Sequence, residues 1–228
     1  MRSIHDNLQA VRQRIAQAAA AAGRDAGSVT LLAVSKTHGA PLVQAALDAG
    51  QRAFGENYVQ EAVEKMDALA GGGAEWHLIG PLQSNKTRLV AERFDWVQSV
   101  ESEKIARRLS GQRSGKLPPL NVLIQVNVSG EASKSGAAAA DVPGLAQAIG
   151  ALPRLRLRGL MAIPEPGAPP ARYRELKALY DALKGAHLLD TLSVGMSDDL
   201  ELAVREGATM VRIGTAIFGQ RRQIRPAA

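Results

Sequence analysis

The sequence predicts a single (β/α)8 barrel preceded by one extra helix. Three observations carry that expectation: eight short β-branched or aliphatic runs, a helix-like segment between successive runs, and no hairpin signal joining any two strands. Strand starts recur at intervals of roughly 20–35 residues, the spacing that a strand plus a crossover helix requires. A doubly wound sheet usually stops at about five or six strands and binds its nucleotide through a glycine-rich turn. No Gly-x-Gly-x-x-Gly follows any strand here, which favours the barrel. The 228 residues fall slightly below the usual barrel length of about 250, so the loops are expected to be lean.

The first element is an amphipathic helix, because Ile4, Leu8, Val11, Ile15 and Ala18 share one face at spacings of three and four. Arg12, Arg14 and Gln17 break up the apolar stretch, and no n-region, h-region and cleavage site can be assembled, so it is not read as a targeting peptide. Strands are expected at Val29–Ser35, Ala53–Gly55, Glu75–Ile79, Trp96–Val100, Leu120–Asn127, Leu155–Ala162, Thr191–Met196 and Met210–Phe218. Helices are expected at Pro41–Ala49, Tyr58–Ala70, Gln83–Arg93, Glu103–Gln112, Val142–Ala151, Ala171–Gly185 and Asp198–Glu206. Gly71–Gly73 and Pro164–Pro170 are too short to act as linkers, so residues 1–228 are read as one domain.

Composition narrows the function classes. A hydrophobic share of 46% can fill a substantial core. With no cysteine, disulfide frameworks, thiolate metal sites and thiol catalysis are excluded, and a reducing, cytoplasmic setting is expected. The net charge of +6 points to an anionic partner. Basic residues are scattered and aromatics make up only 4%, which is poor supply for a base-stacking surface, so nucleic acid is not the expected partner. No apolar run approaches the roughly 18 residues of a membrane span. His5, His38, His77 and His187 are dispersed and no carboxylate cluster has ligand spacing, so no metal is expected.

In a barrel, reactive groups sit at the C-terminal strand ends. Lys36 ends an otherwise apolar first strand, and alternation puts it on one face with Leu32 and Val34. A lysine aimed into a barrel mouth is partly desolvated, which lowers its pKa and frees an amine able to form an imine with a carbonyl compound. A lysine that only snorkels out of the strand end fits the spacing equally well. The last strand brings Arg212, Gly214 and Thr215 to the position where this fold commonly holds phosphate, and Ser197 follows the seventh strand, where it is expected to cap the next helix. An imine-forming lysine opposite a phosphate cradle fits either pyridoxal 5′-phosphate or a sugar phosphate in a Schiff-base aldolase. An arginine beneath a pyridine nitrogen keeps its own proton, so Arg212 tilts the balance toward the former.

At these residues the chain resembles the YggS/PROSC family of pyridoxal-phosphate-binding homeostasis proteins, related in fold to the N-terminal domain of alanine racemase. The resemblance runs in order through Ala33–Thr37, Phe54–Glu61, Trp76–Lys86, Ser133–Gly136, Gly159–Met161, Ser193–Asp199 and Val211–Arg221. It implies that Lys36 is the Schiff-base lysine, that Asn57 lines the cofactor ring, that Arg212 faces the pyridine nitrogen, and that Ser197, Gly214 and Thr215 hold the phosphate. It further implies a monomeric carrier that exchanges the cofactor with amino acids or recipient apoenzymes and has no strong catalysis of its own. The alternative is a racemase, which needs two bases on opposite faces of the substrate carbon. Tyr58 begins a helix near the site and is the tyrosine to weigh for that role, while Tyr173 and Tyr180 fit packing positions. Lys134 is a candidate second capture site, against the plainer reading of a solvated loop lysine. Lys86 and Arg88 either attract the phosphate or dress the surface.

Overall fold

The computed structural model describes residues 3–130 and 135–220. Eight parallel strands close into a ring: β1 (Thr30–Val34), β2 (Ala53–Glu56), β3 (Glu75–Leu78), β4 (Trp96–Val100), β5 (Leu120–Asn127), β7 (Leu155–Ala162), β8 (Thr191–Ser193) and β9 (Met210–Ile213). The pairing of β4 with β5 and of β1 with β9 completes the closure. A two-residue strand, β6 (Ala137–Ala138), adds to the rim beside β5 and has no counterpart in the sequence reading.

The helices form the outer layer: α1 (Ile4–Ala21), α2 (Ala40–Asp48), α3 (Val59–Ala68), α4 (Thr87–Arg93), α5 (Glu103–Gln112), α6 (Val142–Gly150), α7 (Pro170–His187), α8 (Leu200–Arg205) and α9 (Thr215–Phe218). The extra helix α1 opens with a capping box, Ser3 accepting from the Asp6 N–H while Asp6 accepts from the Ser3 N–H. Its stripe of Leu8, Val11, Ile15 and Ala18 is buried, and it packs on α2, α8 and α9, near the ends of the last two strands.

Strand alternation divides two cores. Leu31 and Ala33 face the helices in the main hydrophobic cluster, whereas Leu32 and Val34 point inward with Ala53, Ile79 and Met210. Lys36 continues this inward row and reaches the mouth.

The largest departures from the expected boundaries lie at turns from strand to helix. The last strand ends at Ile213 rather than Phe218; Gly214 starts the single helical turn α9, whose Ile217 and Phe218 are buried. The seventh strand stops at Ser193 instead of Met196. The helix expected from Asp198 begins at Leu200, so Ser197 does not cap it. Asp199 holds the cap position, and its carboxylate turns back to accept the Met196 N–H. Gly195 permits that turn: its φ is +101°, and a Cβ there would lie 2.4 Å from the Ala203 Cβ. The helix expected over Gln83–Arg93 is split, with a 3₁₀ turn at Ser84–Lys86 before α4.

Candidate functional site

Lys36 sits in a turn held from both sides. Ser35 donates its hydroxyl to Glu56 at 2.6 Å, and the Thr37 N–H donates to Glu61 at 2.6 Å. Lys65 ties these together, its Nζ donating to Glu56 (2.6 Å), Glu61 (2.6 Å) and the Ser35 carbonyl (2.7 Å). Burial holds the Glu56 carboxyl above the usual carboxylate range even with the ammonium beside it. Thr37 has φ of +66°, a left-handed conformation uncommon for a residue with a Cβ. The network therefore fixes a strained backbone next to Lys36, which presents this side chain to the cleft rather than leaving it free at a strand end.

All six residues singled out for the site line one cleft of about 630 Å³ at the C-terminal strand ends: Lys36, Asn57, Ser197, Arg212, Gly214 and Thr215. Lys86 and Arg88 are exposed on the 3₁₀ turn and on α4, and neither lines the cleft. Lys134 lies outside the described residues. Tyr58 is 58% exposed and does not line the cleft either. Tyr173 and Tyr180 are buried in α7, as their packing positions suggested. Tyr173 also donates its hydroxyl to Asp199, bracing the loop that carries Ser197, and burial pushes its own pKa up.

The cleft's chemistry suits an anionic ligand. Arg212 is buried, donating to the Ser193 carbonyl (2.8 Å), the Ser193 hydroxyl (2.9 Å) and the Ala162 carbonyl (2.8 Å). It has no ion pair among the described residues, and burial pushes its pKa down to about 10, which leaves it charged at neutral pH. The buried Oδ1 of Asn57 has no hydrogen-bond partner among the described residues. Gly80 lets the end of β3 pass close under Asn57: a Cβ on Gly80 would fall 2.3 Å from the Asn57 carbonyl. The first N–H groups of α9 have no intrahelical acceptor, and the Thr215 and Ser197 side chains stand at the same end.

Sequence reasoning missed two contributors. Arg14 of α1 lines the cleft, donates to the Ser197 carbonyl at 3.0 Å and is held by Glu201 at 2.8 Å. Asn7 donates to the Ile217 carbonyl at 2.8 Å. The extra helix thus braces both loops at the arginine end of the cleft. His38 also lines the cleft and stacks on Phe218 at 5.3 Å.

The alanine racemase N-terminal domain matches residues 7–222 of this chain. The chain belongs to that family. Among family members, the pyridoxal phosphate homeostasis protein of Pseudomonas aeruginosa is 59% identical over the full length of both chains. The Escherichia coli K12 protein of the same name is 55% identical, covering 97% of this chain and 98% of its own. Another family member of known structure is PipY of Synechococcus elongatus PCC7942, solved with PLP bound. It is 36% identical with a TM-score of 0.83, covering 95% of this chain and all of its own.

His77 shows how the barrel interior accommodates a polar group. It is fully buried, and desolvation holds its pKa below the ordinary histidine value despite the Glu75 hydrogen bond. The unfolded chain therefore takes up a proton near pH 6.5 that the folded chain refuses. Stability should fall as pH drops below about 6.5, by up to about 1.4 kcal/mol per pH unit. Urea midpoints measured from pH 7.5 to 5 should show this slope, and His77→Gln should flatten it.

Proposed function

We propose that the protein binds pyridoxal 5′-phosphate reversibly and takes part in intracellular vitamin B6 homeostasis, without strong catalytic activity of its own. The observation that carries this reading is the convergence of Lys36 and a buried Arg212, without an ion pair among the described residues, on one cleft whose arginine end is lined with phosphate-type donors. The names and the bound ligand of the relatives support it.

When bound, the cofactor supplies an aldehyde that condenses reversibly with a primary amine, releasing water; Lys36 Nζ is that amine. The Ser35–Glu56–Lys65–Glu61 network presents Lys36 at a fixed place in the cleft. Asn57 offers the ring edge its unpaired amide oxygen. Arg212 would donate toward the ring nitrogen, and because it keeps its own proton at neutral pH that nitrogen would stay unprotonated and the ring a weak electron sink. Ser197, Thr215 and the Gly214 backbone would hold the phosphate, beside the Arg14–Glu201 ion pair. Amino acids and recipient apoenzymes, whose amines compete with Lys36, are the partners that this reversible capture serves, and a monomer suffices for it.

A racemase is the second reading, since His38 places another titratable group in the same cleft. Racemisation needs acid–base groups on both faces of the substrate carbon. The two readings separate when a single enantiomer of alanine is added to protein loaded with the cofactor and optical rotation is followed. A coloured protein with constant rotation supports the carrier; sustained loss of rotation overturns it.

A further inference from the structure

The barrel interior is not uniformly apolar. Its inward hydrophobic residues fall into two groups, one built on Leu32, Val34 and Met210 and the other on Trp96, Leu123 and Met161. A polar seam touches both: Gln98 lies 3.2 Å from the Met210 sulfur, and His77 stacks on Trp96 at 4.9 Å with 10° between the rings. The seam is a continuous chain. Arg212 meets Ser193 Oγ at 2.9 Å, Ser193 meets Gln98 Oε1 at 2.7 Å, Gln98 meets His77 Nδ1 at 2.9 Å, and His77 Nε2 meets Glu75 at 2.8 Å.

The two ends fix its direction. A guanidinium only donates and a carboxylate only accepts. Arg212 therefore donates to Ser193, Ser193 to Gln98 Oε1, Gln98 to His77 Nδ1, and the His77 Nε2–H to Glu75. The four bonds point one way, from a buried cation to a carboxylate whose side chain is 47% exposed, and such aligned bonds polarise one another. The chain crosses the barrel: Arg212 lies near the C-terminal end of β9, whereas Glu75 is the first residue of β3.

Stability does not account for this seam. Barrel interiors are ordinarily filled with branched aliphatic side chains, and replacing buried charged or polar sets with apolar groups of similar volume is often neutral or favourable. We propose that Ser193, Gln98, His77 and Glu75 are positioning residues. They fix the orientation and charge of Arg212 at the cleft, and thereby the affinity and electronic state of the bound pyridine. The proposal rests on the reading of Lys36 and Arg212 as cofactor residues.

The test titrates pyridoxal 5′-phosphate into wild-type, Gln98→Leu and Glu75→Gln proteins while recording visible absorbance and thermal midpoints. Gln98→Leu removes both links that this side chain makes and should bind about tenfold more weakly, the order of a net hydrogen-bond contribution. Its absorption maximum should also shift. Glu75→Gln, altered at the half-exposed end and safe for folding, should show a smaller loss and a shift in the same direction. Competition by inorganic phosphate should stay at the wild-type level in both. A purely structural seam would lower the thermal midpoint and leave affinity and spectrum unchanged. If the wild type colours and neither variant moves, the proposal is overturned alone; if the wild type never colours, the cofactor reading falls with it.

Discussion

Lys36→Ala protein should fail to develop any visible colour when pyridoxal 5′-phosphate is added, although it folds normally. Lys36 is half-buried at the barrel mouth, and the Ser35 and Thr37 contacts that shape its turn use backbone groups and neighbouring side chains. Truncating it leaves those contacts in place. Affinity should fall by roughly tenfold or more, about 1.4 kcal/mol or greater, because only the phosphate and ring contacts remain. Inorganic phosphate should still compete for that residual binding. Absorbance titration with a phosphate competition series checks both statements, and a coloured variant of wild-type affinity would contradict them.

Lys65→Met should have the largest effect on stability. The Lys65 side chain is 5% exposed and the Glu56 side chain not at all, so the substitution leaves a buried carboxylate with only the Ser35 hydroxyl. Breaking such a pair from one side costs about 3–5 kcal/mol. For a chain of this size that lowers the thermal midpoint by roughly 10 °C. The loss should depend on pH with a definite sign. Glu56 already has a raised pKa from burial, and without Lys65 it rises further. Acidification through that value neutralises the stranded carboxyl, so the gap between variant and wild type should narrow as pH falls from 8 to 5. Thermal melts at several pH values would reveal it, and an equal deficit throughout would show that lost packing, not lost charge, is responsible.

The barrel was legible because alternation and crossover spacing leave few ways to bury eight apolar strands. The strand limits Trp96–Val100, Leu120–Asn127 and Leu155–Ala162 are reproduced residue for residue. The failures cluster where local chemistry competes with pattern. Val211–Phe218 is a short apolar run that periodicity cannot assign to strand or helix, and Gly214 divides it. Asp199 reads as a residue inside a helix, but its carboxylate is committed to the Met196 N–H. Arg14 reads as the solvated face of an amphipathic helix, and only the docking of α1 reveals its contact with Ser197. Gln98 and Ser193 look like ordinary polar interruptions in strands. They lie far apart in sequence, and barrel closure alone links them to Arg212.

The most direct measurement of the account is borohydride reduction of the coloured protein followed by peptide mapping. The reduced adduct should be found on Lys36 alone, in the peptide that joins β1 to α2. A coloured protein whose adduct maps to Lys134 or is spread over surface lysines, with Lys36 unmodified, would contradict it.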